Sequence, residues 1–579
     1  MRAESELRVA FLSGSDNASA RLAVESVCQL PGVVPVALLL DTEQVGVWRR
    51  FKNLRKNIRR NGWTYLPFRI AKSLRAITDK LADRSVVSAS EVRLLLKQAF
   101  PARCFTLCDL GEKYGFQLIS AGNLNSQHAV DLLNRFQVDL GILLGTRLLK
   151  ESIFSVPRMG CINLHKGLVP KYRGFPPGFW ELYEGAPTAG VTVHFVDKGL
   201  DTGDVVATSK VAIRNTDTPV TLRHKLDMEG PRTLAAAVAA IQAGNYHRHP
   251  QAQDSMKPRT KPTLKQMSEL KKRLPHWKQR SDLTLLCKNL HCLFVYYIGL
   301  YSLARVWHRA EGNRGAVIFY HRVNDFSKDM LTVDAERFAA QLLAIAKRYH
   351  RMSTSELVEH VRQRRPITPT SVVIHFDDCY RDVHTNAAPI LAKAEFPPTA
   401  FLSLGFIGTE RRFLHDQKYP FDYENLKPAE VLGLIEMGFE IGSHTVNHAD
   451  LGTCPLDEAT FELTESRRQL EAVTGRPIRF LAFPFGRAHN IREEIIGVVE
   501  RAGYAAMFAA NGGFVAERTD PYDIPRLAGN EAPLYLLLSI EGVTFNQLFS
   551  RLRTAGGGRG KPTLDRSSPE PASDCRGAD

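Results

Sequence analysis

The chain has 579 residues, 44% of them hydrophobic and 24% charged, a balance that excludes a disordered or fibrous protein and leaves room for about three to four domains. Nine cysteines, an odd number that never falls into CxxC spacing, exclude a disulfide framework and a thiolate zinc site and point to a reducing compartment. The formal charge of +15 invites a nucleic-acid reading, yet no RNA-binding signature, zinc finger or recognition-helix motif accompanies it, so nucleic acid is not the expected partner.

The first residues, MRAESELRVAFLSGSD, carry an apolar run that ends in Gly-Ser and leads into a strand, so no secretory signal is expected. LRVAFLSG, VVPVALLL and VDLGILLG are short apolar runs separated by amphipathic segments such as Ser126 to Phe136. That alternation predicts an α/β domain over residues 1–250, with a mostly parallel open sheet covered on both faces. Ligands of such sheets collect at the carboxyl ends of strands, where Asn163-Leu164-His165 ends the run CINLH. The last helix of this domain is expected to start at Thr218-Pro219, a cap residue followed by a first-turn proline, and to fade near Gly244.

Between Arg49 and Lys80 there are eleven Lys or Arg and one acid, interleaved with Trp48, Phe51, Trp63 and Tyr65. A second basic stretch, Lys257 to Arg280, runs into CLFVYYIGLYSLA at 292–304, which is shorter than the roughly 20 residues a membrane span needs. A helix lying in an anionic membrane interface is one reading, and a peripheral position on the inner membrane face would follow from it. Beside it stands the reading of a solvated insertion and an interdomain helix packed on protein. Residues 251–312 form a basic, aromatic connector. From Gly315 a new series begins, GAVIFYHRV, SVVIHFDD, PTAFLSL, GFEIGSH and RFLAFPFG, with polar residues at the carboxyl ends of apolar runs. It predicts a parallel α/β barrel over 313–550 with its site at the top. The tail 551–579 lacks the apolar content to fold.

Two groups of residues carry chemistry. Acyl transfer to an amine needs donors aimed at a developing oxyanion and a group to handle the amine proton. Asn163 offers an amide, His165 an imidazole and Asp201 a carboxylate, and strand alternation puts positions 163 and 165 on one side. In the second group, His444 and His448 have the i, i+4 spacing that converges on one metal when both share a helical turn. Asp378 ends a strand as a third ligand, and Asp377 beside it is placed to act as general base for a metal-bound water.

The longer text CINLHKGLVPKYRG followed by GVTVHFVDKGLDTGD resembles the formyltetrahydrofolate-dependent formyltransferases over roughly residues 7–245. The resemblance implies a Rossmann-like sheet, a catalytic trio of Asn163, His165 and Asp201, and 10-formyltetrahydrofolate as cofactor, with its pterin near Leu144, Gly145, Thr146, Arg147 and Leu148. Lys166-Gly167 stands where that family usually has a serine.

YHRV at 320–323, HFDDCYRDV, EIGSHTVNHADL, LEAVTGRP and LAFPFG at 481–486 resemble the polysaccharide deacetylases of the NodB homology type over roughly residues 314–530. This implies a deformed barrel and a divalent metal, zinc or a similar ion, held by Asp378, His444 and His448, with Asp377 as base. Cys379 replaces the usual Gly after the Asp pair, and His375 a small hydroxyl residue. The late Leu-x-His segment that supplies a general acid in many members has no counterpart, leaving His489 as a candidate. The arginine that usually precedes the third-motif proline is absent, and Arg526 in IPRL is a candidate substitute.

Together the two resemblances imply a bifunctional enzyme acting on the amino group of a nucleotide-linked or lipid-linked amino sugar, by N-deacylation and N-formylation, in the cytoplasm. Two alternatives stand beside it: a methionyl-tRNA-type formyltransferase, and a membrane-associated protein whose deacetylase-like domain is inactive.

Overall fold

A computed structural model describes residues 6–548, apart from residues 45, 253–256, 275–276, 278–281, 312–313, 328, 418, 420 and 488–489. His489 and the tail 551–579 therefore lie outside the described residues. The chain divides into two compact units, Met1–Arg69 with Ala102–Gln279 and Gln417–Phe421, and Ile70–Pro101 with Arg280–Asp416 and Asp422–Asp579.

The first unit is built on a seven-stranded sheet. Strand Leu7–Ser13 lies between Val33–Asp41 and Leu140–Leu144, with Gln117–Gly122 outside the former and Cys161–His165 outside the latter, all parallel. Thr188–Phe195 and Val205–Ala212 extend the sheet antiparallel beyond Cys161–His165. Alternation along Leu7–Ser13 builds two cores: Val9 and Phe11 pack with residues of helices Ala18–Cys28 and Pro219–Gln242, whereas Ala10 and Leu12 pack with residues of Gln127–Arg135. The mostly parallel open sheet expected from the apolar runs is the one observed. Helix Pro219–Gln242 starts as expected, with the Thr218 hydroxyl accepting the Thr221 N–H at 3.2 Å and Pro219 in the first turn.

In the second unit every pairing of the main sheet is parallel. Its spatial order is Ile524–Pro525, Ala506–Ala509, Phe480–Ala482, Glu440–Ser443, Pro398–Leu402, Ser371–Phe376, Gly315–Tyr320 and Leu527–Ala528. The first and last strands of that order are separated in sequence by Arg526 alone, so one short segment touches both edges and nearly closes the sheet into the expected deformed barrel. Phe401, Phe480 and Phe508 pack with Val317 and Val373 in one buried cluster.

Residues 70–101, which the sequence places inside the first α/β domain, pack in the second unit. Helix Ala89–Ala99 buries Val92, Leu95 and Leu96 there, against helices Ala335–Ala346 and Ala388–Ala394. Ser88 caps it through a capping box with Glu91, and the Arg337 guanidinium lies 3.5 Å from Asp83 just upstream.

Candidate active sites

Strand Cys161–His165 presents Asn163 and His165 on one side, as alternation requires, and the antiparallel register sets Asn163 opposite His194. Asp201 reaches the same point from the loop after Thr188–Phe195. Asn163 Nδ2 is 3.3 Å from Asp201 Oδ1 and 3.3 Å from His194 Nε2, and His165 Nδ1 is 3.4 Å from Asp201 Oδ2. The three expected residues thus converge. Gly174 completes the seat: its N–H donates to Asp201 Oδ2 at 2.9 Å. Its φ of +94°, and an Arg259 carbonyl that a Cβ would meet at 2.2 Å, leave room only for glycine.

The electrostatics follow from burial. Desolvation pushes the His165 imidazole below its ordinary value, outweighing the upward pull of Asp201 and of the Tyr172 carbonyl. For Asp201 burial alone would raise the carboxyl, but His194, His165 and the Gly174 N–H together hold it below the usual carboxylate range. The Tyr172 carbonyl lies 2.8 Å from His165 Nε2 and can only accept, so Nε2 carries the proton and Nδ1 faces the site unprotonated. His194, whose Nδ1 is 2.7 Å from the Phe195 carbonyl, is a site residue that sequence reasoning missed. Its signal was present in GVTVHFVDKGLDTGD, but only the cross-strand register shows that it faces Asn163.

The residues expected near the pterin form the loop after Leu140–Leu144. The Arg147 guanidinium is taken up by Asp41 and Glu43. What faces outward is Leu148, 58% exposed, and Gly145, beside which nothing lies within 4 Å of a Cβ position. Lys166, the departure from the family serine, contacts Asp227 and lies 2.5 Å from the Ser19 hydroxyl, on the rim of this unit.

In the second unit Asp377 and Asp378 follow the fully buried strand Ser371–Phe376. Arg526 donates to both oxygens of Asp377, Nη1 to Oδ1 at 2.7 Å and Nη2 to Oδ2 at 2.8 Å. Burial would raise that carboxyl, and Arg526 chiefly reverses the effect, so Asp377 stays ionised. The substitute arginine is therefore in place, carried by the barrel-closing segment. Asp378 Oδ1 lies 3.3 Å from His448 Nε2 and 3.6 Å from His444 Nε2. Both Asp378 oxygens are buried without a hydrogen bond, and one ligand atom each from Asp378, His444 and His448 lie within 4.8 Å of one another. His444 Nδ1 is 2.8 Å from the Ala482 carbonyl, which turns Nε2 toward Asp378. Burial pushes His448 down to about 3, the neutral form that a ligand needs. An orphaned buried carboxylate facing two oriented imidazoles fits a divalent cation.

The route by which the histidines meet corrects the expectation of a shared helical turn. Residues 444–448 form an irregular loop after Glu440–Ser443, with Thr445 at φ +64° and His448 at φ +58°. The Glu462 carboxylate holds it, accepting the Val446 and Asn447 N–H groups at 2.8 Å each and Asn447 Nδ2 at 2.7 Å. Backbone strain marks both sites. Of eight described non-glycine residues with positive φ, five are Asp201, Asp378, Thr445, His448 and Phe485.

His415 was not foreseen. Its Nε2 lies 3.6 Å from Asp378 Oδ2 and 2.9 Å from the Tyr380 hydroxyl, with the ring stacked on Phe413. It stands in the segment between Pro398–Leu402 and Pro428–Glu436, with no spacing to link it to the motifs around it. His375, by contrast, is core: its ring sits edge-on to Phe401 and Phe508, and its Nε2 is 2.9 Å from the Thr354 hydroxyl.

Residues 91–238 match the formyl transferase family model, and residues 364–507 match the polysaccharide deacetylase model. One chain thus carries a segment matching the formyl transferase model and another matching the polysaccharide deacetylase model. The first is an acyl-transferring family and the second hydrolyses carbon–nitrogen bonds. Among curated relatives, the formyl transferase domain is 33% identical over 140 residues to methionyl-tRNA formyltransferase of Methylacidiphilum infernorum, covering 24% of this chain and 44% of that protein. It is 33% identical over 139 residues to that of Agathobacter rectalis, covering 24% and 45%. The chain thus spans less than half the length of these curated relatives. Among solved structures, the Streptococcus pyogenes deacetylase PplD in complex with acetate is 22% identical with a TM-score of 0.35, over 39% of this chain and 98% of that one. Glycinamide ribonucleotide transformylase 1 from Symbiobacterium toebii is 16% identical with a TM-score of 0.29, over 43% and 95%.

Proposed function

We propose that this chain exchanges the acyl group on the amino nitrogen of a sugar, removing one acyl group at the deacetylase domain and placing a formyl group at the formyl transferase domain. The observation that carries the reading is that one chain holds both the Asn163–His165–Asp201 convergence and a buried, unbonded Asp378 facing His444 and His448.

At the first site 10-formyltetrahydrofolate, when bound, supplies the formyl carbon. Asn163 Nδ2, held 3.3 Å from both Asp201 Oδ1 and His194 Nε2, turns one N–H from these partners to the oxygen that becomes negative as the amine attacks. His165 Nδ1 takes the amine proton, and Asp201, 3.4 Å away, stabilises the imidazolium that results. At the second site Asp378, His444 and His448 would hold a divalent metal, zinc by the character of a two-imidazole, one-carboxylate donor set, which when bound would supply Lewis-acid activation of water. Asp377, fixed by Arg526, would be the base that takes a proton from the attacking water. His415, its ring 5.7 Å from that of His448 and its Nε2 3.6 Å from Asp378 Oδ2, carries a proton to the leaving amine.

The transferase fold uses a cytosolic cofactor, so the substrate is a nucleotide-linked or polyprenyl-linked amino sugar met in the cytoplasm. The curated methionyl-tRNA formyltransferases favour a second reading in which the amine belongs to a charged tRNA. Here the segment following the formyl transferase domain forms helix Leu264–Arg273, its Leu270 buried with Tyr172, Phe179 and Trp180, which supports the sugar reading over a tRNA-gripping barrel.

Mass spectrometry of amino-sugar nucleotides and lipid-linked amino sugars, incubated with the enzyme with and without formyltetrahydrofolate, tests the proposal. A folate-dependent gain of a formyl group, lost in Asn163→Ala, and a folate-independent loss of an acyl group, lost in Asp378→Asn, are expected. No formylated sugar together with hydrolysis unchanged in Asp378→Asn would overturn it.

A further inference from the structure

Helix Asp282–Tyr297 is apolar on both its buried and its exposed side, with Leu286 and Leu293 turned inward. Its anchored side carries Asn289, whose Nδ2 donates to Asp79 Oδ1 at 2.6 Å, and Lys288, paired with Glu531 at 2.6 Å, beside buried Cys292 and Val295. Its outer side is apolar as well: Leu283, Leu290, Phe294 and Tyr297 share a helical stripe and are between 50% (Leu290) and 67% (Tyr297) exposed. Helix Leu300–Glu311 repeats the arrangement, with Leu303, Val306 and Trp307 facing outward while His308 is buried at 2.9 Å from Glu541. The two helices meet at a 63° bend, and among the described residues no single helix is long and apolar enough to cross a membrane.

In the other unit, helix Val47–Asn61 has no buried residue at all. Val47, Phe51, Leu54 and Ile58 form a stripe at spacings of three and four, Trp48 stands beside it, and the rest of VWRRFKNLRKNIRRN holds seven basic residues and no acid. Its contacts with its own unit lie at its end, where Asn61 Oδ1 accepts the Leu264 N–H at 2.9 Å and Arg60 reaches Thr260, and Val47, Trp48 and Phe51 stay 60% or more exposed. An apolar stripe edged with like positive charge repels a second copy of itself. It is complementary to anionic headgroups overlying acyl chains, where Trp and Tyr rings also settle.

We propose that helix Val47–Asn61 and the bent pair Asp282–Tyr297 and Leu300–Glu311 are two independent docking surfaces for an anionic lipid bilayer, each lying in the interface plane without crossing it. The apolar stripes enter the acyl boundary, and the basic residues stay among the headgroups. The bend lets two short helices lie along one surface. This goes beyond the catalytic reading and does not depend on the sugar.

The test uses the full-length chain with sedimented vesicles of phosphatidylcholine alone or mixed with phosphatidylglycerol. The expected result is binding to the anionic vesicles, weakened by salt, and a blue shift of tryptophan emission on binding. Trp48→Ser with Phe51→Ser, and Phe294→Ser with Trp307→Ser, each lower the partition constant about tenfold while circular dichroism is unchanged. The proposal is overturned if the parent chain stays in the supernatant with anionic vesicles, or if both double variants that keep the parent's circular dichroism sediment as it does. It is equally overturned if light scattering shows a dimer that either pair of substitutions converts to monomer, since the stripe would then be covered by a second copy.

Discussion

His165 is a buried imidazole whose neutral form is favoured, next to a carboxylate held ionised. The working state of the trio has Nδ1 unprotonated. Because burial lowers the His165 value, the acid limb of kcat/KM for formyl transfer should fall at a pH below the ordinary imidazole value of about 6.5 and stay flat above it. A pH–rate profile checks this, and an acid limb at or above that value would contradict the neutral assignment. At the other site His415→Ala separates two roles for one ring. If His415 carries the proton, kcat for hydrolysis falls about 100-fold or more while metal content stays at one ion per site. Loss of the metal in the same variant would make it a ligand instead. The residue types at both sites were legible in sequence because each lies in a long motif. His194 and His415 were not, since a histidine's partner across a sheet or from an insertion is not encoded by spacing.

Two short elements aim the deacetylase residues. The segment Ile524–Ala528 pairs with both edges of the barrel sheet, and Arg526 between the two pairings clamps Asp377. Arg526→Lys keeps the charge but loses the two-pronged contact, so hydrolysis should drop about 10- to 100-fold with metal content retained. Steady-state kinetics beside metal analysis reads this. The loop 444–448 depends on Glu462, a buried carboxylate on helix Leu456–Thr474 that is remote in sequence from the metal. Glu462→Ala leaves the Val446 and Asn447 N–H groups unpaired, at about 1–3 kcal/mol of stability. It also frees His448, and metal affinity should fall about 10- to 100-fold in a competition titration. The i, i+4 spacing suggested a helical turn, which positive φ at Thr445 and His448 forbids. The spacing picked out the two histidines that meet at Asp378 while misdescribing the backbone that presents them.

At the scale of the molecule, the two units are interleaved in sequence. Helix Ala89–Ala99 lies within the first half of the chain but buries Val92, Leu95 and Leu96 in the second unit. A fragment of residues 1–250, the domain expected from composition, would expose those side chains, each worth about 1.5–3 kcal/mol when buried. It should aggregate, or melt well below the full chain, and a fragment that is monomeric and equally stable in a thermal scan would refute this. Composition assigns the segment to the domain of its sequence neighbours, whereas it packs in the other unit. It cannot reveal which core receives an amphipathic helix, because an apolar face is non-specific until tertiary packing offers a partner.

Sequence alone determined the two α/β folds and named the residues that converge, Asn163, His165 and Asp201 in one unit and Asp378, His444 and His448 in the other, because periodicity and long motifs are local properties of the chain. Only the tertiary structure decided that the Arg526 segment nearly closes the barrel and fixes Asp377, that Glu462 shapes the ligand loop, and that His194 and His415 face the two sites. It also decided that residues 70–101 belong to the second core. Each of these rests on a contact between residues far apart in sequence, whose energy exists only once the chain has folded and the intervening loops have been closed.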